Sequence, residues 1–392
     1  MLRLIIFLSV MITILMLGHV YIMRRLSAGA PDHIARITKW IVAAQAVVII
    51  GAMSVRGLGT LGVGWQVPAQ WAGMLAFGMF SLEMVTLLAV DAAGWLWPRL
   101  QSLRGKETET DPDRRALLLR PFRLGAMALS GAVSITGIRE AYRAAEVVEV
   151  EIPIANLPEA LDGFHIVQVS DIHVGPTIRG SFLQGIVKRV NILKPDMVAV
   201  TGDLVDGSVA TLGSEVQHIS GFKSRHGTYF ITGNHEYYAG ADSWIRFLRE
   251  NGVTVLLNEH VVLDHDASPL LLAGVTDYRA GRQLEGHTSD PVAAAAGAPE
   301  CPARVLLAHQ PRSAYAAAKT RAFDLQLSGH THGGQYVPFS WLINLFQPFA
   351  VGLHQHEGMW VYTNRGTGYW GPPIRTGVRP EITSLKLRRG AA

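Results

Sequence analysis

The chain has 392 residues, of which 49% are hydrophobic and 17% charged, so it is long enough for two domains and too apolar for an ordinary soluble protein. Its net charge of +4 does not point to a nucleic-acid partner, because Lys and Arg gather in short loops between apolar runs, a pattern of membrane topology. The single cysteine, Cys301, excludes an internal disulfide and a thiolate cluster, which leaves oxygen and nitrogen ligands for any metal site.

Four apolar stretches fill residues 1–140, at 4–23, 40–55, 71–97 and 122–138. Each approaches the roughly 20 residues that a helix needs to cross a bilayer, although the second and fourth are short. The first reads as an uncleaved span rather than a signal peptide. Leu17-Gly18-His19-Val20-Tyr21 lacks a small-residue cleavage pattern, and further spans follow.

Arg24, Arg25, Arg36 and Lys39 lie in or beside the first loop, and Arg99, Arg104, Lys106, Arg114, Arg115 and Arg120 in or beside the third; the intervening connection has Arg56. The positive-inside rule then makes the first and third loops cytoplasmic and puts everything after the fourth span outside. A multi-pass protein of the inner membrane with an extracytoplasmic domain is the expectation. Arg114-Arg115 before an apolar run also resembles a degenerate twin-arginine export motif, with the same outward placement. Loss of the short fourth span would instead leave the domain in the cytoplasm. Glu83 and Asp91 fall inside the third span, where charge is costly and can mark an ion path. Two such residues fit pairing within the bundle better than a transporter. Trp65, Trp71, Trp95 and Trp97 sit near span ends, as interfacial anchors do.

A polar, helix-like linker is expected at 139–149, and an α/β domain at 150–388. Buried strands are predicted at 164–169, 197–201, 228–232, 305–308 and 323–327. Their sequels matter most: Asp171-Ile172-His173, Gly202-Asp203, Gly233-Asn234-His235-Glu236, His309, and Gly329-His330-Thr331-His332. Loops at the carboxyl ends of strands converge on the ligand crevice of an α/β sheet, so these residues are expected to meet in space.

Asp171, Asp203, Asn234 and four histidines form a sulfur-free donor set suited to Mn, Fe, Zn, Co or Mg. So many ligands exceed what one ion needs, whereas two ions sharing a carboxylate can use them. Such a pair, about 3.5–4 Å apart, can hold a bridging hydroxide and clamp the oxygens of a phosphoryl group. A phosphate ester is the substrate this chemistry suits.

The five blocks occur in the order of the calcineurin-like metallophosphoesterases and resemble that family. The stretch Asn364-Arg365-Gly366-Thr367-Gly368, with Pro372-Pro373-Ile374-Arg375 and Arg379-Pro380-Glu381-Ile382, is similar to its exported or membrane-bound bacterial phosphodiesterases. The resemblance implies a four-layer sandwich, two β-sheets flanked by helices, here preceded by about four transmembrane helices. It implies a first divalent ion on Asp171, His173, Asp203 and His332, and a second on Asp203, Asn234, His309 and His330. It makes His235 the general acid at the leaving oxygen, with Glu236 expected to orient it.

Elsewhere, His165, His218, His226 and His260 read as core or solvated histidines, and Asp206 as a cap or turn residue. His354 and His356 could line a substrate entrance. The aromatic run 339–349 reads either as a core helix or as an exposed apolar wall serving a lipid-linked phosphate. The expected activity is hydrolysis of a phosphodiester or phosphate ester, in a lipid or envelope component, by a metal-bridging hydroxide. Two alternatives stand beside it: a cytoplasmic-facing nucleotide-lipid pyrophosphatase, and a metal-binding sensor module without catalysis.

Overall fold

The computed structural model of the chain describes residues 2–58, 63–104 and 112–390; Lys106 of the third loop lies outside them. Two compact units separate: Met1–Arg139 with Gly371–Ile374, and Glu140–Trp370 with Arg375–Ala392.

The first unit holds four helices: α1 (Leu2–Ser27), α2 (Asp32–Leu58), α3 (Val63–Leu103) and α4 (Pro112–Ala141). Within them, Ser9–Ser27, Asp32–Ser54, Val67–Leu103 and Arg114–Ala141 are long and apolar enough to cross a membrane. The second and fourth candidates reach 23 and 28 residues, because the helices run on through the flanking basic residues that the hydropathy pattern alone excludes. Long cationic side chains tolerate this by extending toward the interface. Glu83 is buried and accepts a hydrogen bond from Gln45 Nε2 at 3.1 Å. Asp91 pairs with Arg123 at 2.9 Å and with Arg25 at 2.5 Å. Both acids therefore have partners inside the bundle, as their cost in an apolar medium requires.

The second unit begins with a correction. The stretch expected as a helix-like linker divides, α4 ending at Ala141 and a strand β1 running from Glu146 to Ala155. Its residues Glu146-Val147-Val148-Glu149-Val150-Glu151 mimic a polar helix in composition, but each pairs with a strand more than 200 residues away. That partner is β12 (Glu381–Gly390), and local pattern cannot reveal it.

Between them come β2 (His165–Val169), β3 (Met197–Val200), β4 (Thr228–Phe230), β5 (Thr254–Val255), β6 (Glu259–His265), β7 (Ser268–Gly274), β8 (Ala303–Leu307), β9 (Leu325–Ser328), β10 (Gly352–His356) and β11 (Met359–Thr363). They form two six-stranded mixed sheets, β1-β12-β2-β3-β4-β5 and β10-β11-β9-β8-β7-β6. In the first, β2, β3, β4 and β5 are parallel; in the second, β7, β8, β9 and β11 are.

Side-chain alternation explains how the sheets stack. Ile166, Met197, Leu270, Leu272, Leu325 and Leu327 meet in one core between the sheets. Their neighbours Val167 and Val198 face helices on one outer side, and Leu271 and Leu306 face helices on the other. Fully burying each such side chain contributes about 1.5–3 kcal/mol. The result is the four-layer sandwich expected from the sequence, and it brings the carboxyl ends of the inner parallel strands together.

Candidate metal centre

Each expected ligand follows a strand end. Asp171 and His173 follow β2, Asp203 follows β3, Asn234 follows β4, His309 follows β8, and His330 and His332 follow β9. The backbone is forced into unusual conformations there. Asp171, His173, Asp203, His330 and His332 all have φ between 50° and 71°, a left-handed region that costs a non-glycine residue on the order of 1–2 kcal/mol. Strain repeated at so many clustered polar residues marks a functional site rather than a turn. Glycines let the loops approach: a Cβ on Gly329 would lie 2.2 Å from Asp171 Oδ2, and one on Gly202 would lie 2.6 Å from Gly233 N.

Three groups of side chains converge closely enough to hold an ion: Asp171 with His173 and His332, His173 with Asp203 and His235, and Asp203 with His309 and His330. Asp203 belongs to two of them. Its Oδ2 lies 3.1 Å from His309 Nε2 and 3.9 Å from His173 Nε2, and its Oδ1 accepts from the His235 amide at 2.9 Å. Asp171 accepts from the His330 amide at 2.9 Å and lies 3.4 Å from His332 Nε2. The Nε2 atoms of His173 and His332 face each other at 3.1 Å.

The donor atoms fit divalent cations. His309 Nδ1 is 2.8 Å from the Thr201 carbonyl oxygen, a pure acceptor, so Nδ1 carries a proton. Although burial opposes it, Asp203 and Asp171 raise the ring's proton affinity well above the usual histidine range, so the charge that an ion would replace at Nε2 is a proton. Nε2 nevertheless makes no hydrogen bond despite its closeness to Asp203, and Asn234 Oδ1 is also buried without a partner. Buried polar atoms left bare cost about 1–3 kcal/mol each; a cation facing them removes that cost. Burial and the His309 charge hold His330 down at about 3, and burial with His173 and Arg375 holds His332 well below the usual histidine range. Both rings are thus neutral, the form that binds metal. Burial opposes ionisation of Asp203, yet His309, His235 and His173 together keep its carboxyl well below the usual range.

His235 sits at the rim, its side chain 12% exposed. Here the structure revises one expected role. Glu236 does not orient His235: its buried carboxylate accepts from the backbone amides of Gly233 at 2.7 Å, Asp203 at 3.0 Å and Leu204 at 2.8 Å. Adjacent residues on a helix point about 100° apart, so a side chain next to His235 turns inward when His235 turns outward. Burial and Asp203 push the Glu236 carboxyl up to about 7.

Asp206 takes the orienting place. Its Oδ1 accepts from His235 Nδ1 at 2.6 Å and from His173 Nδ1 at 3.1 Å. Despite burial, the two imidazoles hold the Asp206 carboxyl well below its usual range. The Gly202-Asp203-Leu204-Val205-Asp206 spacing was the available clue, hidden by its likeness to a turn. Trp370 and Tyr238, half exposed or more, flank His235 with ring centroids at 5.7 and 5.3 Å.

The remaining histidines find other partners. His165 meets Ser384 Oγ at 2.8 Å, His218 meets Gln184, His226 meets His265, and His260 meets the Ala294 carbonyl. His354 and His356 stand on β10, their rings beside Phe349. Arg375 is buried and lies 3.3 Å from His332 Nδ1, while Gly368 N donates to the Asp171 carbonyl. The closing sequence blocks thus brace the first ligand loops. Phe339–Phe346 is a helix with no buried residue, which removes the core-helix reading.

The family model for calcineurin-like phosphoesterases matches residues 164–334, spanning every strand-end block. A transmembrane protein with metallophosphoesterase domain from Danio rerio is 37% identical over 81% of this chain and 74% of its own length. Its namesake from Bos taurus is 38% identical over 70% of this chain and 64% of that protein. An uncharacterized metallophosphoesterase of Campylobacter jejuni is 33% identical over 81% of this chain and 82% of its own.

Proposed function

The chain belongs to the calcineurin-like metallophosphoesterases, and on that premise we propose that it is a membrane-anchored, two-metal hydrolase of a phosphodiester or phosphate ester in a lipid or envelope component. The observation that carries this reading is a pair of bare, buried donors: His309 Nε2, 3.1 Å from the Asp203 carboxylate shared between ligand groups, and Asn234 Oδ1, next in the chain to His235, whose amide donates to Asp203.

Asp171, His173, Asp203 and His332 would hold one ion, and Asp203, Asn234, His309 and His330 the other. When bound, divalent ions such as Mn, Fe, Zn or Mg neutralise phosphoryl oxygens and acidify a water molecule. Asp206 accepts a hydrogen bond from His235 Nδ1 and fixes the ring. That leaves Nε2, 4.0 Å from Asp203 Oδ2, to donate a proton to the departing oxygen. Trp370 and Tyr238 pack edge-on against the same ring. Asp206 and Glu236 are positioning residues, one for two imidazoles and one for the ligand loops.

The lipid component of the reading rests on helix Phe339–Phe346. Trp341, Leu345 and Phe346 are 73%, 75% and 68% exposed, and a Cβ on Gly334, two residues past His332, would lie 2.4 Å from the Phe339 carbonyl oxygen. An uncharged apolar helix in water beside a ligand loop suits contact with acyl chains. The loop charges favour an extracytoplasmic domain.

The test is hydrolysis of a chromogenic diester and of phospholipids by the full chain in detergent, before and after chelation and metal return. Metal-restored turnover of either supports the reading; turnover indifferent to chelation removes it.

A further inference from the structure

The membrane-spanning unit contains more positive than negative charge at one place. A cavity of about 720 Å3 is lined by Arg25 of α1, Asp91 of α3, and Arg115 and Arg123 of α4, with Tyr21 and Trp95. Asp91 is already saturated: Arg25 Nε lies 2.5 Å and Arg123 Nη2 2.9 Å from its oxygens, and Tyr21 donates to it at 2.9 Å. Arg115 donates to the Gly94 carbonyl at 2.6 Å, which satisfies a hydrogen bond but neutralises no charge. Three guanidinium cations against one carboxylate leave two positive charges in the lining. Arg123 is the most confined of them, its side chain 4% exposed and its Nη1 buried with no acceptor among the described residues.

An internal ion network alone does not account for this. Arg25 and Arg115 are exposed near helix ends, where their charge is tolerated, but Arg123 is buried, and a bundle that needed only to tie α1, α3 and α4 together would leave none of its donors bare. A second, largely apolar space adjoins two of the cavity's lining residues. A neighbouring space of about 650 Å3 shares Arg115 and Leu119 with it and is otherwise lined by Arg114 and by apolar side chains such as Val90, Trp97, Leu118 and Phe122. A cationic pocket beside a largely apolar groove matches an anionic headgroup followed by a hydrocarbon chain. Guanidinium groups suit phosphate in particular, because their planar donors meet its oxygens in pairs.

We propose that the α1–α3–α4 cavity binds the headgroup phosphate of an anionic phospholipid, with one acyl chain along the groove beside Leu118 and Phe122. None of its lining residues belongs to the metal centre, and its occupant is a structural lipid rather than the hydrolysed ester.

The experiment is native mass spectrometry of the full chain from mild detergent, with phosphatidylglycerol and phosphatidylcholine of matched acyl chains as probes and inorganic phosphate as a third. Phosphatidylglycerol should be retained over phosphatidylcholine on the order of tenfold or more. Arg115→Gln, which leaves the Arg25–Asp91–Arg123 cluster intact, should lower that preference about fivefold. Arg25→Gln provides a second variant with the same expected direction. Arg36→Gln removes an equal charge from an exposed position outside the cavity and should change nothing. Equal retention of the two lipids, or an Arg36→Gln effect as large as that of Arg115→Gln, would overturn the proposal. Saturable inorganic phosphate binding without a lipid preference would overturn the lipid assignment. None of these readouts depends on hydrolysis.

Discussion

The two units of the chain treat buried charge in opposite ways. In the spanning unit, Glu83 and Asp91 are rare, and each is closed off by a neighbouring side chain, Gln45 for one and Tyr21, Arg25 and Arg123 for the other. In the sandwich, Asp171, His173, Asp203, His309 and His332 are crowded together, and two buried atoms, His309 Nε2 and Asn234 Oδ1, are left without hydrogen bonds. Strained backbone accompanies the second arrangement, with positive φ at Asp171, His173, Asp203, His330 and His332. A fold that needed only stability would avoid both the strain and the bare donors. The comparison teaches that the sandwich gives up stability to preorganise groups that could hold an ion, whereas the spans give each of their buried acids a partner.

The sharpest way to break this contrast is at Asp203. Asp203→Asn keeps the size and the acceptor for the His235 amide but removes the shared charge. Hydrolysis should fall by roughly 10³-fold or more with little change in the circular dichroism of the full chain. Near-native turnover would mean that Asp203 is structural, like Asp91.

Next in size is His235→Ala, for which a loss of about 10²–10⁴-fold in kcat is expected while metal content stays unchanged. Asp206→Asn should be milder, about 10–100-fold, and should shift the pH profile of kcat because the ring loses its carboxylate partner. A drop in metal content without a change in pH profile would assign Asp206 to His173 alone.

Glu236 separates stability from chemistry. Glu236→Ala leaves the amides of Gly233, Asp203 and Leu204 without their acceptor, and thermal or denaturant unfolding should register a cost of about 3 kcal/mol. Glu236→Gln retains an acceptor and should keep most of the activity. Abolished turnover in a stable Glu236→Gln chain would return this residue to the reaction itself.

The smallest effect is expected at the exposed helix. Trp341→Ser with Phe346→Ser should reduce turnover of a phospholipid severalfold and leave a small diester almost untouched, since only an acyl chain needs the apolar wall. Equal losses on both substrates would assign the helix to folding.

How legible each part was follows from how local its cause is. The ligand blocks were readable because short buried strands such as 197–201 end abruptly in Gly-Asp or Gly-Asn-His, and the α/β sheet rule gathers such ends. Strand β1 was not readable, since its charged alternation is explained only by β12 at the far end of the chain. Nor were the roles of Asp206 and Glu236. A residue two or three positions from a ligand reaches the site or turns away according to helix phase and loop path, which sequence spacing alone does not fix. The helix at Phe339–Phe346 had an evident composition, but its burial depended on neighbours that composition does not name.

The central claim is a pair of ions sharing Asp203, and metal titration of the stripped full chain in detergent tests it most directly. With hydrolysis of a chromogenic diester followed as Mn is returned, activity should rise only as occupancy approaches two ions per chain, and Asp203→Asn should fail to hold both. Full activity at one ion per chain, or two ions held by Asp203→Asn with undiminished turnover, would contradict the account.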